Sequence, residues 1–370
     1  MVVFHAFQWL NDDFWIGAAG VDVFFVISGF IIWTVTARGE SVPGKFLWRR
    51  VTRVAPAYWL VTLGVAAIAV ASPSFLPQVS VSPRHLLLSL AFVQHTDPHG
   101  LVFPVLPPGW SLNYEAIFYV TFTGVLFAPA RWRFPLILAA LAGICMVGLL
   151  DPPLYGLAAN PMMLQFAAGV WLGRRHVLGR RIPAGAGATF VALGLALFAA
   201  MLMVNFRQRI TFTVHEFFRP LIWGLPAVMI VAGFVAIEEG GWRRWARPFV
   251  KLGDASYAVY LCHMPAVALV AHTLGVRPAA LFVPAAVVVS VAAGVGFHLA
   301  VETPLIAAFR AGPRLLTGLA LREPPPPLRG PPPPEGEETR SRAISSPPPL
   351  GEGDPEGVEG ARGETRISPT

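Results

Sequence analysis

The chain has 370 residues, of which 55% are hydrophobic and only 13% charged, with a mean hydropathy of +0.59. Soluble domains carry about 25% charged residues, so composition excludes a soluble fold and points to an all-α, polytopic membrane helix bundle. The net charge is +7, and the stretch from Leu321 onward, with six Arg against nine acidic residues, leaves the remainder near +10. In a membrane protein that excess belongs to loops that set orientation, which argues against a nucleic-acid partner. Cys145 and Cys262 both fall inside apolar runs, so neither a disulfide framework nor a cysteine zinc site is expected.

Apolar runs lie near 16–37, 57–76, 111–130, 134–150, 153–173, 185–204, 218–238, 256–274 and 280–304, preceded by a stub at Met1–Leu10. Ten helical residues rise only ~15 Å against a ~30 Å hydrocarbon core, so the stub reads as the end of a first helix that is incomplete at its N-terminus. This gives about ten transmembrane helices. Fifteen basic residues, from Arg38 through Arg131 and Arg174 to Lys251, fall in one set of alternate loops. Five, namely Arg84, Arg207, Arg209, Arg219 and Arg277, fall in the other. The positive-inside rule puts the first set, and the C-terminus, in the cytoplasm. Scarce Lys and abundant Ala, Gly and Pro suggest a GC-rich bacterial genome, hence the bacterial inner membrane.

In chain order, His5 and Asp22 flank the short connection Gln8–Trp15. A helical hairpin would hold them at matching depth near the outer face. A carboxylate beside an imidazole fixes its tautomer and raises its basicity, as a general base or nucleophile requires. Arg49, Arg50 and Arg53 share one helical face and offer planar donors to phosphate. The same cluster also suits a cytoplasmic loop on anionic lipid. The stretch His95-Thr-Asp-Pro-His99, with His85 upstream, imitates a metal cluster but has no third ligand at standard spacing, so a solvated outer loop and no metal are expected. Trp110 and Ser111 open the next run, and Ser111, Glu115 and Tyr119 follow at i, i+4, i+8, drifting only ~80° around a helix. Further on, Ser256, Tyr260 and His263 form a polar stripe. Glu302 lies one turn after His298 near the end of the last run. From about Glu323 the sequence is Pro-, Gly- and Glu-rich and lacks apolar content to pack. Residues 1–310 therefore read as one membrane domain and 311–370 as a cytoplasmic, disordered tail.

Several of these segments resemble the acyltransferase-3 family, integral membrane enzymes that move acyl groups from acyl-coenzyme A to sugars and other acceptors. The matching segments are Gly20-Val-Asp-Val-Phe-Phe25 after His5, and Arg50-x-x-Arg-x-x-Pro-x-Tyr-Trp59. To these are added Trp110-Ser-Leu-x-x-Glu-x-x-Phe-Tyr119, Gly253-x-x-Ser-Tyr-x-x-Tyr-Leu-x-His263, and Glu302. The family's basic residue some three turns before its essential histidine falls upstream of Met1. The resemblance implies transfer of an acyl group, most often acetyl, from cytoplasmic acyl-coenzyme A to a hydroxyl of an extracytoplasmic glycan or lipid-linked sugar. His5, Asp22 and Glu115 are then catalytic and Arg49, Arg50 and Arg53 bind the coenzyme. Trp110, Ser111, Tyr119, Tyr260, His263 and Glu302 support the site. Two other readings stay open on sequence alone: a transporter with an intramembrane His/Asp/Glu relay, and an inactive, truncated acyltransferase.

Overall fold

The structure is a computed structural model that describes residues 1–10, 19–39, 41–150, 160–208, 218–239 and 250–309. Arg209 and the Pro-rich tail, named above, lie outside the described residues. Every regular element within them is helical: α1 Val2–Trp9, α2 Ala19–Ala37, α3 Pro43–Ala71, α4 Pro83–Leu90, α5 Trp110–Leu126 and α6 Ala130–Leu150. There follow α7 Met163–Val177, α8 Ala184–Gln208, α9 Leu225–Glu239, α10 Ser256–Leu274 and α11 Ala279–Phe297. A π-type turn, Pro220–Gly224, leads into α9, and another, His298–Glu302, follows α11.

Among the described residues seven helices are long and apolar enough to cross a membrane, formed by α2, α3, α6, α8, α9 with its π turn, α10 and α11 with its extension. Helices α5, with 17 residues, and α7, with 15, are shorter, and α1 has only 8. These three occupy the remaining positions in the order of the apolar runs. The arginine cluster is not a separate loop. It forms the first turns of α3, which starts at Pro43 in the N1 position and runs unbroken for 29 residues; proline suits N1 because the first amide has no helical acceptor to lose.

The bundle has little hydrophobic drive for helix pairing in lipid, so close packing must supply it. Helices α2 and α7 meet through Gly29 on one side and Gly169 and Gly173 on the other. A Cβ on Gly29 would run into the Phe166 carbonyl, and one on Gly169 into that of Val26. Beside this crossing, Phe166 is stacked between Phe25 and Phe118, each at a centroid distance of 4.4 Å, tying α2, α5 and α7 together. At one end of the bundle, Arg38 lies 3.3 Å from His176 and Arg174 lies 4.1 Å over the Phe134 ring. The loops carrying most of the described cations therefore gather at this basic end.

At the opposite end of α3 lies α4, capped by Ser82, whose hydroxyl accepts from the His85 amide. Helix α4 closes with crossed bonds, Phe92 N–H to Ser89 at 3.1 Å and Val93 N–H to Leu88 at 3.0 Å. Phe92 has φ +56 there, the left-handed position that such a terminus ordinarily gives to glycine.

Candidate active site

The first turns of α5 are the hub. The 3₁₀ turn Pro107–Gly109 leads into the helix, and Gly109 lies flat against the Tyr58 ring, where a Cβ would sit 2.8 Å from a ring carbon. Successive residues then face different neighbours. The Trp110 ring lies under the Arg219 guanidinium at 5.8 Å, the Ser111 hydroxyl pairs with Tyr260 Oη at 2.7 Å, and Glu115 turns to α2.

Beyond Tyr260 lies a pair of imidazoles. The His5 and His263 rings, from α1 and α10, are 4.9 Å apart. His263 Nδ1–H donates to the Tyr260 carbonyl at 2.6 Å, and His5 Nδ1–H donates to Gln8 Oε1 at 2.7 Å. With both Nδ1 atoms committed as donors, both Nε2 atoms carry lone pairs. Each Nε2 is buried and, among the described residues, no group donates to it. His263 is fully buried and His5 nearly so. Two neighbouring imidazoles thus each hold a buried acceptor with no donor among the described residues, a rare arrangement inside a protein.

Asp22 is not His5's partner as the hairpin reading expected. The start of α2 packs beside Met1, a full turn before His5, since a Cβ on Gly20 would lie 3.7 Å from the Met1 side chain. The fully buried Asp22 carboxylate accepts instead from Arg219, Nε at 3.1 Å and Nη2 at 3.0 Å, and from Gln165 Nε2. Arg219, assigned above to loop charge, is buried within the bundle and lies between the Trp110 and Trp223 rings at 5.8 Å from each. The two charges form a bidentate pair, the geometry that lets a guanidinium and a carboxylate share a dry site.

Glu115, also buried, accepts from Ser28 Oγ at 3.0 Å and from Tyr119 Oη at 2.5 Å. It opens onto a cleft of ≈ 210 Å³ between α3, α5 and the end of α4, which Arg50, Tyr119, Trp59 and Phe92 also line. Ser28 is midway along α2, so Glu115 sits near the middle of the bundle. Arg50 of the arginine cluster and the Glu115 carboxylate thus line one cleft. Arg50 is half-buried over the Phe46 ring at 5.4 Å, whereas Arg49 and Arg53 are exposed.

Glu302 is buried and accepts from His298 Nδ1 at 2.7 Å across the last π turn. The solvated-loop expectation for His85 and His95 is corrected. Both are buried, with His95 Nε2 3.3 Å from His85 Nδ1, and only His99 is exposed. Asp97 Oδ1 accepts the His99 and Leu101 amides, which makes the tight turn between them. Among the described residues no three His, Cys, Asp or Glu side chains gather as metal ligands.

Arg219, Gln165 and Ser28 were missed as site neighbours. Arg219 had a readable signal, because it lies inside the 218–238 apolar run, where a charge is costly and rarely idle. Gln165 and Ser28 had none, since uncharged polar residues are common in membrane helices.

Comparison with known proteins gives the chain's family. The acyltransferase-3 family profile, described as an acyltransferase domain, matches residues 1–299. The exopolysaccharide production protein ExoZ of Rhizobium meliloti (strain 1021) is 36% identical over 330 residues, covering 87% of this chain and 99% of that protein. Acyltransferase MdmB of Streptomyces mycarofaciens is 28% identical over 266 residues, 67% of each chain. The peptidoglycan O-acetyltransferase OatA of Listeria monocytogenes is 27% identical over 149 residues, 36% of this chain and 23% of that one. No solved structure matches.

Proposed function

Because the chain belongs to the acyltransferase-3 family and is a multi-span membrane acyltransferase, we propose that it transfers an acetyl group from acyl-coenzyme A to a hydroxyl of a polysaccharide or its lipid-linked precursor. In this reading the basic end faces the cytoplasm of a bacterial inner membrane, the C-terminus is on the same side, and the acceptor approaches from the other. The polysaccharide acceptor is carried over from the names of the relatives, of which ExoZ aligns over nearly its whole length.

The observation that carries the chemistry is His5: a buried imidazole whose Nδ1–H is held by Gln8 and whose Nε2 lone pair has no donor among the described residues. The acceptor hydroxyl oxygen attacks the thioester carbonyl carbon while Nε2 takes its proton. The C–S bond breaks, and the coenzyme leaves as a thiolate that then picks up a proton. His263, whose ring lies 4.9 Å from that of His5, orients the incoming hydroxyl. Ser111, through Tyr260, holds His263 in register with α5.

On the donor side, Arg49, Arg50 and Arg53 bind the phosphates at the cleft mouth, and Glu115 with Tyr119 meets the amide-bearing arm inside. Only one turn of α5, ~6 Å of rise, separates Ser111 from Glu115, so donor and acceptor halves join across that turn. Asp22, through Arg219 and Trp110, sets the position of α5's first turn, and Glu302 with His298 secures the end of the last helix.

The decisive test is His5→Ala in a producing strain that lacks its own copy, at matched membrane levels. Loss of a general base predicts acyl ester content of the polysaccharide reduced by about 10²–10⁴-fold. Normal ester content in that strain would remove His5 from the chemistry.

A further inference from the structure

The cleft holding Glu115 has two unlike ends. Arg50 and Leu47 stand at the basic end, and Trp59, Phe92 and Leu112 at the other; α3 rises ~13 Å between Arg50 and Trp59. The far end is lined by a residue whose backbone is in a costly conformation. Phe92 occupies the left-handed C′ position of α4, φ +56, where glycine carries no Cβ penalty. Bulky residues at such angles persist only when their surroundings over-determine them, and they cluster at functional sites.

The surroundings here do so. The Phe92 ring lies 4.7 Å from the Tyr58 ring, which is fully buried and pressed against Gly109. Tyr58 Oη donates to the Ser89 carbonyl at 3.2 Å, and Trp59 Nε1 donates to the Leu90 carbonyl at 2.7 Å. Two consecutive side chains of α3 thus bind the last carbonyls of α4 and fix the turn that aims Phe92 into the cleft. Helix α5 lines the same cleft with the small Ala116.

We propose that Phe92 is the chain-length determinant of the acyl donor: its ring is the end wall that admits a short acyl group and rejects longer ones. This inference rests on the reading of the cleft as the donor site. The substrate class it assigns is a short-chain acyl thioester, and the glycine-compatible backbone makes the wall removable without loss of the turn.

The test is binding of acetyl-, butyryl- and hexanoyl-coenzyme A to the purified full chain in detergent, for wild type, Phe92→Gly and Phe92→Asn. Both replacements tolerate the left-handed conformation, so folding is preserved, and monodispersity with an unchanged melting temperature checks it. Wild type is expected to bind hexanoyl-coenzyme A about tenfold or more weaker than acetyl-coenzyme A, the penalty of pressing a longer chain against the Phe92 ring. In Phe92→Gly each further methylene should instead tighten binding by about fourfold, and Phe92→Asn should fall between. Equal chain-length profiles in wild type and both variants, with acyl-coenzyme A still bound, would overturn the role of Phe92 and leave the donor site standing. Failure of the folded wild type to bind any acyl-coenzyme A would overturn both.

Discussion

Asp22 and Glu115 are both buried carboxylates in apolar helices, yet the protein treats them differently. Asp22 has a full countercharge, the bidentate Arg219, plus an amide donor from Gln165. Glu115 receives only the hydroxyls of Ser28 and Tyr119 and looks into an open cleft. A carboxylate neutralised on all sides by a rigid guanidinium is committed to architecture. One held by two neutral donors beside a cavity keeps acceptor capacity for something that enters. The contrast separates a carboxylate built into the framework from one that faces a cleft, although both residues read alike as isolated charges in membrane runs.

The sharpest way to break this comparison is to neutralise each carboxylate in turn. Asp22→Asn strands the Arg219 guanidinium in a dry site, and breaking a buried pair this way costs about 3–5 kcal/mol. The melting temperature of the purified protein should drop steeply, and activity with it. Glu115→Gln keeps an acceptor for Ser28 and Tyr119, so stability should hold within about 1 kcal/mol while turnover falls about tenfold with loss of a charge-assisted contact. The pair Asp22→Leu with Arg219→Met should recover most of the stability lost in Asp22→Asn, because removing both charges is far less costly than removing one. Equal stability losses at Asp22 and Glu115 would dissolve the distinction.

A second prediction concerns the mouth of the Glu115 cleft. Arg50→Ala with Arg53→Ala should weaken acyl-coenzyme A binding by about tenfold, a modest effect for two guanidiniums because Arg53 is exposed and solvent-screened. Lys at both positions keeps the charge that orients the helix but loses the planar fork, so it should restore insertion better than binding. Direct titration of the purified variants with acetyl-coenzyme A measures this. Unchanged affinity in the double Ala variant would reduce the arginines to a topology signal.

Most of the fold was legible because apolar length and period are local properties: the run at 256–274 coincides with α10, and the runs near α2, α3, α6, α8 and α11 lie within or close to their helices. The motif residues of α5 were legible for the same reason, since i, i+4 spacing is fixed by helix geometry. What the sequence could not reveal was partner choice. His5 and His263 meet although 258 positions apart, and nothing in either segment encodes the other. Asp22 was paired with His5 by proximity along the chain, a guess that a symmetric hairpin would justify. The start of α2 beside Met1 breaks that symmetry. The glycine pair Gly169 and Gly173, spaced four apart in an apolar run, was a readable helix-contact signal, and it does mark the α2–α7 crossing.

The smallest predicted effect lies at the far end of the cleft, in the turn region that carries Phe92. His95 Nδ1–H donates to the Val93 carbonyl at 2.7 Å, so its Nε2 is an acceptor facing His85 Nδ1–H at 3.3 Å. Burial pushes the His85 imidazole below its ordinary value, the neighbouring His95 pushes in the same direction, and Asp97 opposes them more weakly. A histidine whose folded pKa is depressed favours the neutral native state. Its stabilising contribution is therefore complete above the unfolded value of about 6.5 and is lost as pH falls below it. The melting temperature should accordingly decline between pH 7.5 and 5.5. His85→Asn, which cannot titrate, should show a shallower decline from a lower starting point, and limited proteolysis of residues 91–105 should track the same difference. If His85→Asn and wild type lose stability in parallel over that interval, the pair is not the titrating element, and the turn behind Phe92 owes its rigidity to Tyr58 and Trp59 alone.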